Sequence, residues 1–217
     1  MKVGIIFAMQ KEWDGFFSET DKVGCSFAKG KTRKGIPYVA LISGIGKVHA
    51  AIAAYKLWKE YDCSRMLSFG CAGGLSRDVH IGDIVVGDEY IYHDVFCGSP
   101  NAMGQVQGCP ETFPSDYEQW GFLKGLKHGL ITTGDMFVES PMSALQISGV
   151  HFPKHTPVAM DMESAAIAQV CERRSVGFTS VRVISDNPIC GEKTYQDFWG
   201  QKDNILSVLY KSFLVVE

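Results

Sequence analysis

The stretch Val3-Gly4-Ile5-Ile6-Phe7-Ala8 carries no polar side chain, and most of its residues are branched or aromatic. A half-buried strand alternates polar and apolar positions. A run without alternation fits a strand covered on both faces, as in a sheet held between helical layers. Residues 38–42 repeat the pattern, and residues 65–69, 83–86, 129–133 and 178–184 read as further strands, with β character continuing through 89–95. Between them lie helical stretches. Residues 47–61 offer Val48, Ala51, Ile52, Tyr55 and Leu57 for an apolar face. Residues 117–127, 142–148 and 198–215 also read as helices, as does a segment from Met162 to about Arg173 with Asp161 as its N-cap. Residues 97–114 are rich in Gly and Pro and read as a loop or an excursion near a site. Strands and helices alternate throughout, which predicts an α/β protein with a largely parallel or mixed central sheet. No linker or repeat divides residues 1–217, so the expectation is a single domain.

Composition excludes several classes of function. The formal net charge is −3, which offers no basic footprint for nucleic acid. No stretch approaches the roughly 18 apolar residues that span a membrane. The N-terminal apolar run is short and runs directly into Gln10, Lys11 and Glu12 without a cleavage site, so it reads as a buried strand and not a signal. Seven widely spaced cysteines without a C-x-x-C pair predict buried thiols in a reducing cytoplasm, not a disulfide framework or a zinc site. The six histidines lack helical metal-site spacing, and no metal or other cofactor is expected.

Three acidic residues follow apolar strands or open a helix, where α/β proteins place their chemistry. Glu12 comes shortly after the first strand, Glu163 lies in the first turn after Asp161, and Asp186 ends Val181-Arg182-Val183-Ile184-Ser185. Each taken alone also suits a solvated or capping role. Arg182 is different, because a charge inside an apolar strand needs an acidic partner or an anionic ligand. A structural ion pair and a catalytic role explain it equally well. Ser43-Gly44-Ile45-Gly46-Lys47 has the outline of a phosphate loop, but the Walker spacing is absent and Val48 occupies the hydroxyl position. Gly70-Cys71-Ala72-Gly73-Gly74 reads as a tight turn that lets a flat ligand approach the backbone. On residue chemistry alone, the chain is an α/β domain with a small-molecule site.

In order along the chain, these segments resemble the bacterial 5'-methylthioadenosine/S-adenosylhomocysteine nucleosidases. The matching pieces include Ala8-Met9 with Glu12, Ser43-Gly44-Ile45-Gly46-Lys47-Val48, Gly70 with Ala72-Gly73-Gly74-Leu75, and Tyr92-His93-Asp94. They continue with Gly134-Asp135 and Phe137, Met162-Glu163, and Val181-Arg182 with Ile184-Ser185-Asp186. The resemblance implies a nucleoside phosphorylase-like fold, a three-layer α/β/α sandwich with a mixed central sheet, and a homodimer. The implied reaction is hydrolysis of the N-glycosidic bond of 5'-methylthioadenosine, S-adenosylhomocysteine or 5'-deoxyadenosine.

In that family Asp186 is the acid that protonates N7 of adenine, and Ser185 orients it. Keeping an aspartic acid protonated near neutrality costs about 4 kcal/mol, which base stacking and exclusion of water would supply. Glu12 holds and activates the attacking water, with Arg182 nearby. Glu163 clamps the ribose hydroxyls, Met162 and Phe137 pack against sugar and base, and the backbone of Val138 reads the adenine edge. Met9, Ala72 and Gly73 belong to the same substrate-binding segments. Cys71 stands where the family commonly has a serine that partners the water, and a thiol is the weaker hydrogen-bonding group. The family's dimer also lends an aromatic side chain to the neighbour's 5' pocket. Here residues 96–103 are shortened and set Ser99 near that position, with Phe96 close by.

Three rival readings share the scaffold. Related phosphorylases carry an arginine where this chain has Ser68, and Glu12 would repel phosphate. A futalosine-type nucleosidase would run the same chemistry on a larger 5' group. A non-catalytic purine-binding protein could dispense with Glu12 and Asp186, both of which are present.

Overall fold

The computed structural model describes residues 1–152, 154–191, 198–199 and 206–214. Its strands are β1 (Val3–Phe7), β2 (Phe27–Lys31), β3 (Pro37–Ile42), β4 (Arg65–Gly74), β5 (Ile84–Tyr92), β6 (Phe113–Pro114), β7 (Lys127–Thr133), β8 (Pro157–Asp161) and β9 (Gly177–Asp186). Its α-helices are α1 (Gln10–Phe16), α2 (Lys47–Tyr61), α3 (Pro141–Leu145), α4 (Ser164–Arg174) and α5 (Leu206–Phe213).

β1 shows why the sheet has two covered faces. Val3, Ile5 and Phe7 point into a cluster with Trp13, Phe16 and Leu209 from α1 and α5. Ile6 points the other way, into a cluster with Ala50, Ala54 and Leu57 of α2 and Ala165 of α4. Gly4 lies between them on the α2 side, where a Cβ would meet Leu57 Cδ1 at 2.9 Å. The glycine lets α2 seat directly on the strand. The chain is therefore a mixed sheet between helical layers, as expected.

Within that sandwich the sheet curls. β1 lies parallel between β3 and β4, and β4 runs parallel to β9. β9 then pairs with β5, β5 with β7, β7 with β8, and β8 returns to β4 at Gly73 and Gly74. Five strands thus close a ring, and the ends of β4, β8 and β9 meet the segments after β1, β5, β7 and β8 at a cavity.

Several elements differ from the sequence reading. Residues 117–127 form two single 3-10 turns, Tyr117–Gln119 and Gly121–Leu123, before β7 begins. β2, β8 and α1 lack a strong apolar signal and go unread. The strands expected at 83–86 and 89–95 are one strand, β5. The segment expected to be a helix over 142–148 starts at Pro141 and changes to a π-turn over Gln146–His151. α4 begins at Ser164, two residues after the expected start. The helix expected over 198–215 is seen at 198–199 and in α5, and its remaining residues lie outside the described set.

The face of α2 is a larger correction. Its buried residues are Ala50, Ala53, Ala54 and Leu57. Val48, Ile52 and Tyr55, expected to face the core, are 68%, 61% and 44% exposed. Small alanines face the sheet because close seating on β1 leaves no room for larger side chains.

Candidate active site

Glu12 occupies the third position of α1, and its carboxylate turns back over the helix start. Oε2 accepts the N–H groups of Ala8 (2.9 Å) and Met9 (3.0 Å), the reach-back half of a capping box. Oε1 accepts the N–H of Cys71 (3.0 Å) and the Cys71 thiol (3.5 Å). This seat exists because residue 70 is glycine: a Cβ there would lie 2.5 Å from Glu12 Oε1. Gly73 and Gly74 are pressed in the same way by Met160 and Asn187. The glycines expected to form a turn therefore continue β4 as strand, where they admit close neighbours. Burial raises the Glu12 pKa above the usual carboxylate value, against the opposing pull of Arg182 and the backbone donors.

Asp186 ends β9 beside a bulge. Ala72 pairs with Ile184 and Gly73 with Asp186, so Ser185 is the extra residue. Its hydroxyl lies 2.6 Å from Asp186 Oδ1 and 3.3 Å from the Ala72 carbonyl. One hydroxyl proton serves one acceptor at a time, and the shorter contact assigns it to Asp186. Burial raises the Asp186 pKa, the Ser185 hydrogen bond opposes it, and Glu139 adds to the rise.

Glu163 opens α4 and is buried. Its Oε1 accepts the N–H of Gly46, 2.9 Å away at the start of α2. Burial, with Asp161 and Glu12 as neighbouring negative charges, pushes its pKa well up despite Arg182.

Arg182 stands behind this wall and does not line the cavity. Its Nε donates to Asp161 Oδ2 at 2.9 Å, and Nη2 reaches Ser68 (3.0 Å) and Ser164 (3.1 Å). Both members of the pair are almost fully buried. Asp161 also accepts from Thr133 Oγ1 at 2.6 Å, from the Ser164 hydroxyl, and from the N–H groups of Glu163 and Ser164. It thus holds two N–H groups at the start of α4, where Glu163 and not Asp161 is the N-cap, and it neutralises Arg182 as well. Of the two explanations for a charge inside β9, the ion pair is the one seen. Losing one member of such a buried pair costs about 3–5 kcal/mol.

The cavity has a volume of about 470 Å³, within the range of small-molecule sites. Every other residue expected at the site lines it. Met9, Glu12, Cys71, Ala72 and Gly73 come from the first half of the chain, and Phe137, Val138, Met162, Glu163, Ser185 and Asp186 from the second. Ile45, Met136 and Met160 add apolar wall, and buried His93 closes one side. These four carried no role in the sequence reading. Ile45 and His93 sit in quoted motifs, whereas Met160 lies on the unread strand β8. Phe96 is 69% exposed, and neither it nor Ser99 lines the cavity of this chain. The cavity's lysine is Lys11, exposed at the rim with its ammonium 5.8 Å from the Trp199 ring centroid. Among the described residues no cluster of metal-ligating side chains occurs.

The chain belongs to the phosphorylase superfamily, whose family model matches residues 2–209. Within it the chain falls with the 5'-methylthioadenosine/S-adenosylhomocysteine nucleosidases. It is 34% identical over 212 residues to the one from Marinomonas sp. (strain MWYL1), covering 90% of this chain and 89% of the relative. The S. pneumoniae nucleosidase, solved with a transition-state inhibitor, superposes with a TM-score of 0.81 at 29% identity over 98% of this chain and 97% of that one. The Helicobacter pylori futalosine hydrolase also gives a TM-score of 0.81, at 26% identity over 98% and 96%.

Proposed function

We propose that this chain hydrolyses the N-glycosidic bond of 5'-methylthioadenosine and S-adenosylhomocysteine, releasing adenine and the 5'-substituted ribose. The observation that carries this reading is one apolar-walled cavity bounded by Asp186, whose carboxyl burial pushes above its usual range, and by the buried carboxylate of Glu12. Asp186 gives its proton to N7 as the C1'–N9 bond breaks and its electron pair moves onto the base, so adenine leaves neutral. Glu12 takes a proton from water as the water oxygen bonds to C1'. Glu163 accepts hydrogen bonds from the ribose hydroxyls. The oxocarbenium-like sugar forms beside Glu12 and Glu163, and the buried guanidinium of Arg182 is hydrogen-bonded to Asp161 and to neither of them.

The same charge balance favours water over phosphate as the nucleophile. Ser68, where phosphorylases carry an arginine, instead accepts a hydrogen bond from Arg182. An incoming phosphate would meet the Glu12 carboxylate, and the guanidinium of Arg182 behind the wall is already paired with Asp161. The test is adenine release from 5'-methylthioadenosine, with the sugar product separated by chromatography in the presence and absence of inorganic phosphate. Free sugar without phosphate supports the proposal, and adenine only with phosphate makes the chain a phosphorylase. Release from futalosine but not from the thioether nucleosides moves it to the futalosine branch. Absence of release from all of them leaves a binding protein.

Cys71 sets the expected pace. About four lone-pair sites exist on a carboxylate, and on Glu12 three N–H groups and the thiol occupy them. Beside Glu12 the thiol is a poor acceptor for a hydrogen bond from the water, which a serine hydroxyl in its place would take. Cys71→Ser is expected to raise kcat about twofold to tenfold, the worth of one ordinary hydrogen bond. Steady-state rates of adenine release check it, and an unchanged or lower kcat removes Cys71 from the water site.

The reading also includes a single domain, since walls of one cavity come from both halves of the chain, and a cytoplasmic setting, which suits seven free cysteines with Cys25, Cys97 and Cys190 exposed. No helix among the described residues is long and apolar enough to cross a membrane. A homodimer would cover Val48, Ile52 and Tyr55 of α2 and the groove of about 410 Å³ beside them, walled by Ala51, Tyr92 and Val170. Val48→Glu with Ile52→Glu is expected to shift sedimentation from dimer to monomer and to lower activity. A parent chain that already sediments as a monomer sinks the dimer.

A further inference from the structure

Lys47, Asp94 and Asp135 all fall in motifs that the reaction leaves without a task. They meet beside the cavity. The Lys47 ammonium lies 2.8 and 2.7 Å from the two Asp94 oxygens. The peptide N–H of Lys47 donates to Asp135 Oδ1 at 2.8 Å, and the N–H of Asp135 donates to Asp94 Oδ2 at 2.8 Å. Lys47 begins α2, Asp94 follows β5 and Asp135 follows β7. Three separate chain segments are therefore tied by reciprocal, charge-assisted hydrogen bonds, the strong class. Burial alone would raise the Asp94 carboxyl, but Lys47 and the Asp135 N–H outweigh it and hold it below its usual value.

The residue before Lys47 is Gly46, whose N–H holds Glu163 Oε1 at 2.9 Å. Gly46 has φ +96°, and a Cβ on it would stand 3.0 Å from Asp135 Oδ1. The first free N–H groups of α2 are thus divided between two carboxylates, one in the cavity and one in the ion cluster. Anything that moves Asp135 or Lys47 moves the donor that aims Glu163.

We propose that Lys47, Asp94 and Asp135 form a clasp that positions the start of α2, so that the Gly46 N–H fixes Glu163 for the ribose hydroxyls and makes the site selective for the intact diol. This rests on the reading of Glu163 as the ribose clamp, and the three residues are positioning residues that need not touch the substrate.

The test compares 5'-methylthioadenosine with its 2'-deoxy analogue. Both are titrated by calorimetry into Asp186→Asn protein, in which turnover is silenced, alone and combined with Asp94→Asn, Lys47→Met or Glu163→Gln. Asp94→Asn or Lys47→Met should weaken binding of the intact nucleoside about tenfold, the loss of one well-aimed hydrogen bond. Binding of the 2'-deoxy analogue should change far less, so selectivity falls. On a Glu163→Gln background the clasp variants should add no further loss, which a generally loosened structure would not reproduce. Circular dichroism melts identify variants that do not fold, and either clasp variant that folds suffices. Unchanged selectivity overturns the clasp, as do losses that multiply with that of Glu163→Gln or a protein that binds neither nucleoside. Adenine release by the parent chain tests the hydrolase reading separately, so the two can fail independently.

Discussion

Asp186→Asn is expected to fold like the parent chain and to release adenine about a thousandfold more slowly, mid-range for the loss of a general acid. The substitution keeps shape and removes one function. Ser185 donates to Oδ1, which leaves the carboxyl proton to Oδ2. The amide can keep its oxygen toward Ser185 and present an N–H to the base, so N7 still has a hydrogen-bond partner. It has no proton to yield, and the base must leave as an anion. Burial raises the Asp186 carboxyl against the pull of Ser185, which keeps the acid protonated to higher pH than in water. Parent kcat/KM should therefore fall as pH rises through that elevated pKa, and the residual rate of Asp186→Asn should lack this descending limb. Initial rates across the pH range test both points. Parent-like rates in the variant would remove Asp186 as the acid.

The sequence pattern places Asp186 at the end of an apolar strand, but its role as the acid follows from the resemblance to the nucleosidases and not from the strand. β1, β3, β7 and β9 carry runs of branched residues, and the alternation with helices led to the sandwich. What escaped the sequence depends on pairs of residues far apart in the chain. Nothing near Gly70 indicates that Glu12 will lie against it, so the glycines looked like a turn when they are the seat of a carboxylate in a strand. Arg182 announced that it needed a counter-charge but not which one, and Asp161 looked like an ordinary cap. β8 is short and gives little apolar signal in the sequence, which hides Met160 and the closing edge of the ring. The bulge at Ser185 is likewise a property of pairing with β4.

α2 failed for a different reason. Helical periodicity marks apolar faces without saying what covers them. Here the alanine face meets the sheet while Val48, Ile52 and Tyr55 remain outside. An apolar stripe left exposed beside a site is how a surface for a second subunit looks in one chain. Of the residues the periodicity assigns to one face, Leu57 meets the sheet and Val48, Ile52 and Tyr55 do not.

Glu12→Gln is the second large expected effect, a loss of turnover of about a hundredfold or more, in the range for general-base removal. Unlike Asp186, Glu12 is surrounded by donors on both oxygens: Ala8 and Met9 on one, Cys71 on the other. A glutamine can satisfy one side with its oxygen, but its NH2 must then face an N–H group on the other. The variant should therefore melt earlier as well, since a buried donor left unpaired costs about 1–3 kcal/mol. Nucleoside binding should be mostly kept, because Glu163, Met162 and Phe137 are untouched. This combination separates base catalysis from simple damage. Destabilisation alone lowers the folded fraction on heating but leaves kcat per folded molecule unchanged, and active-site titration with a tight-binding nucleoside analogue counts those molecules. If kcat per bound site stays near the parent value, the water is activated by another group and Glu12 is a structural anchor for α1. If it collapses while binding persists, the carboxylate seated over Gly70 is the base, and the absence of a side chain at residue 70 is part of the catalytic apparatus.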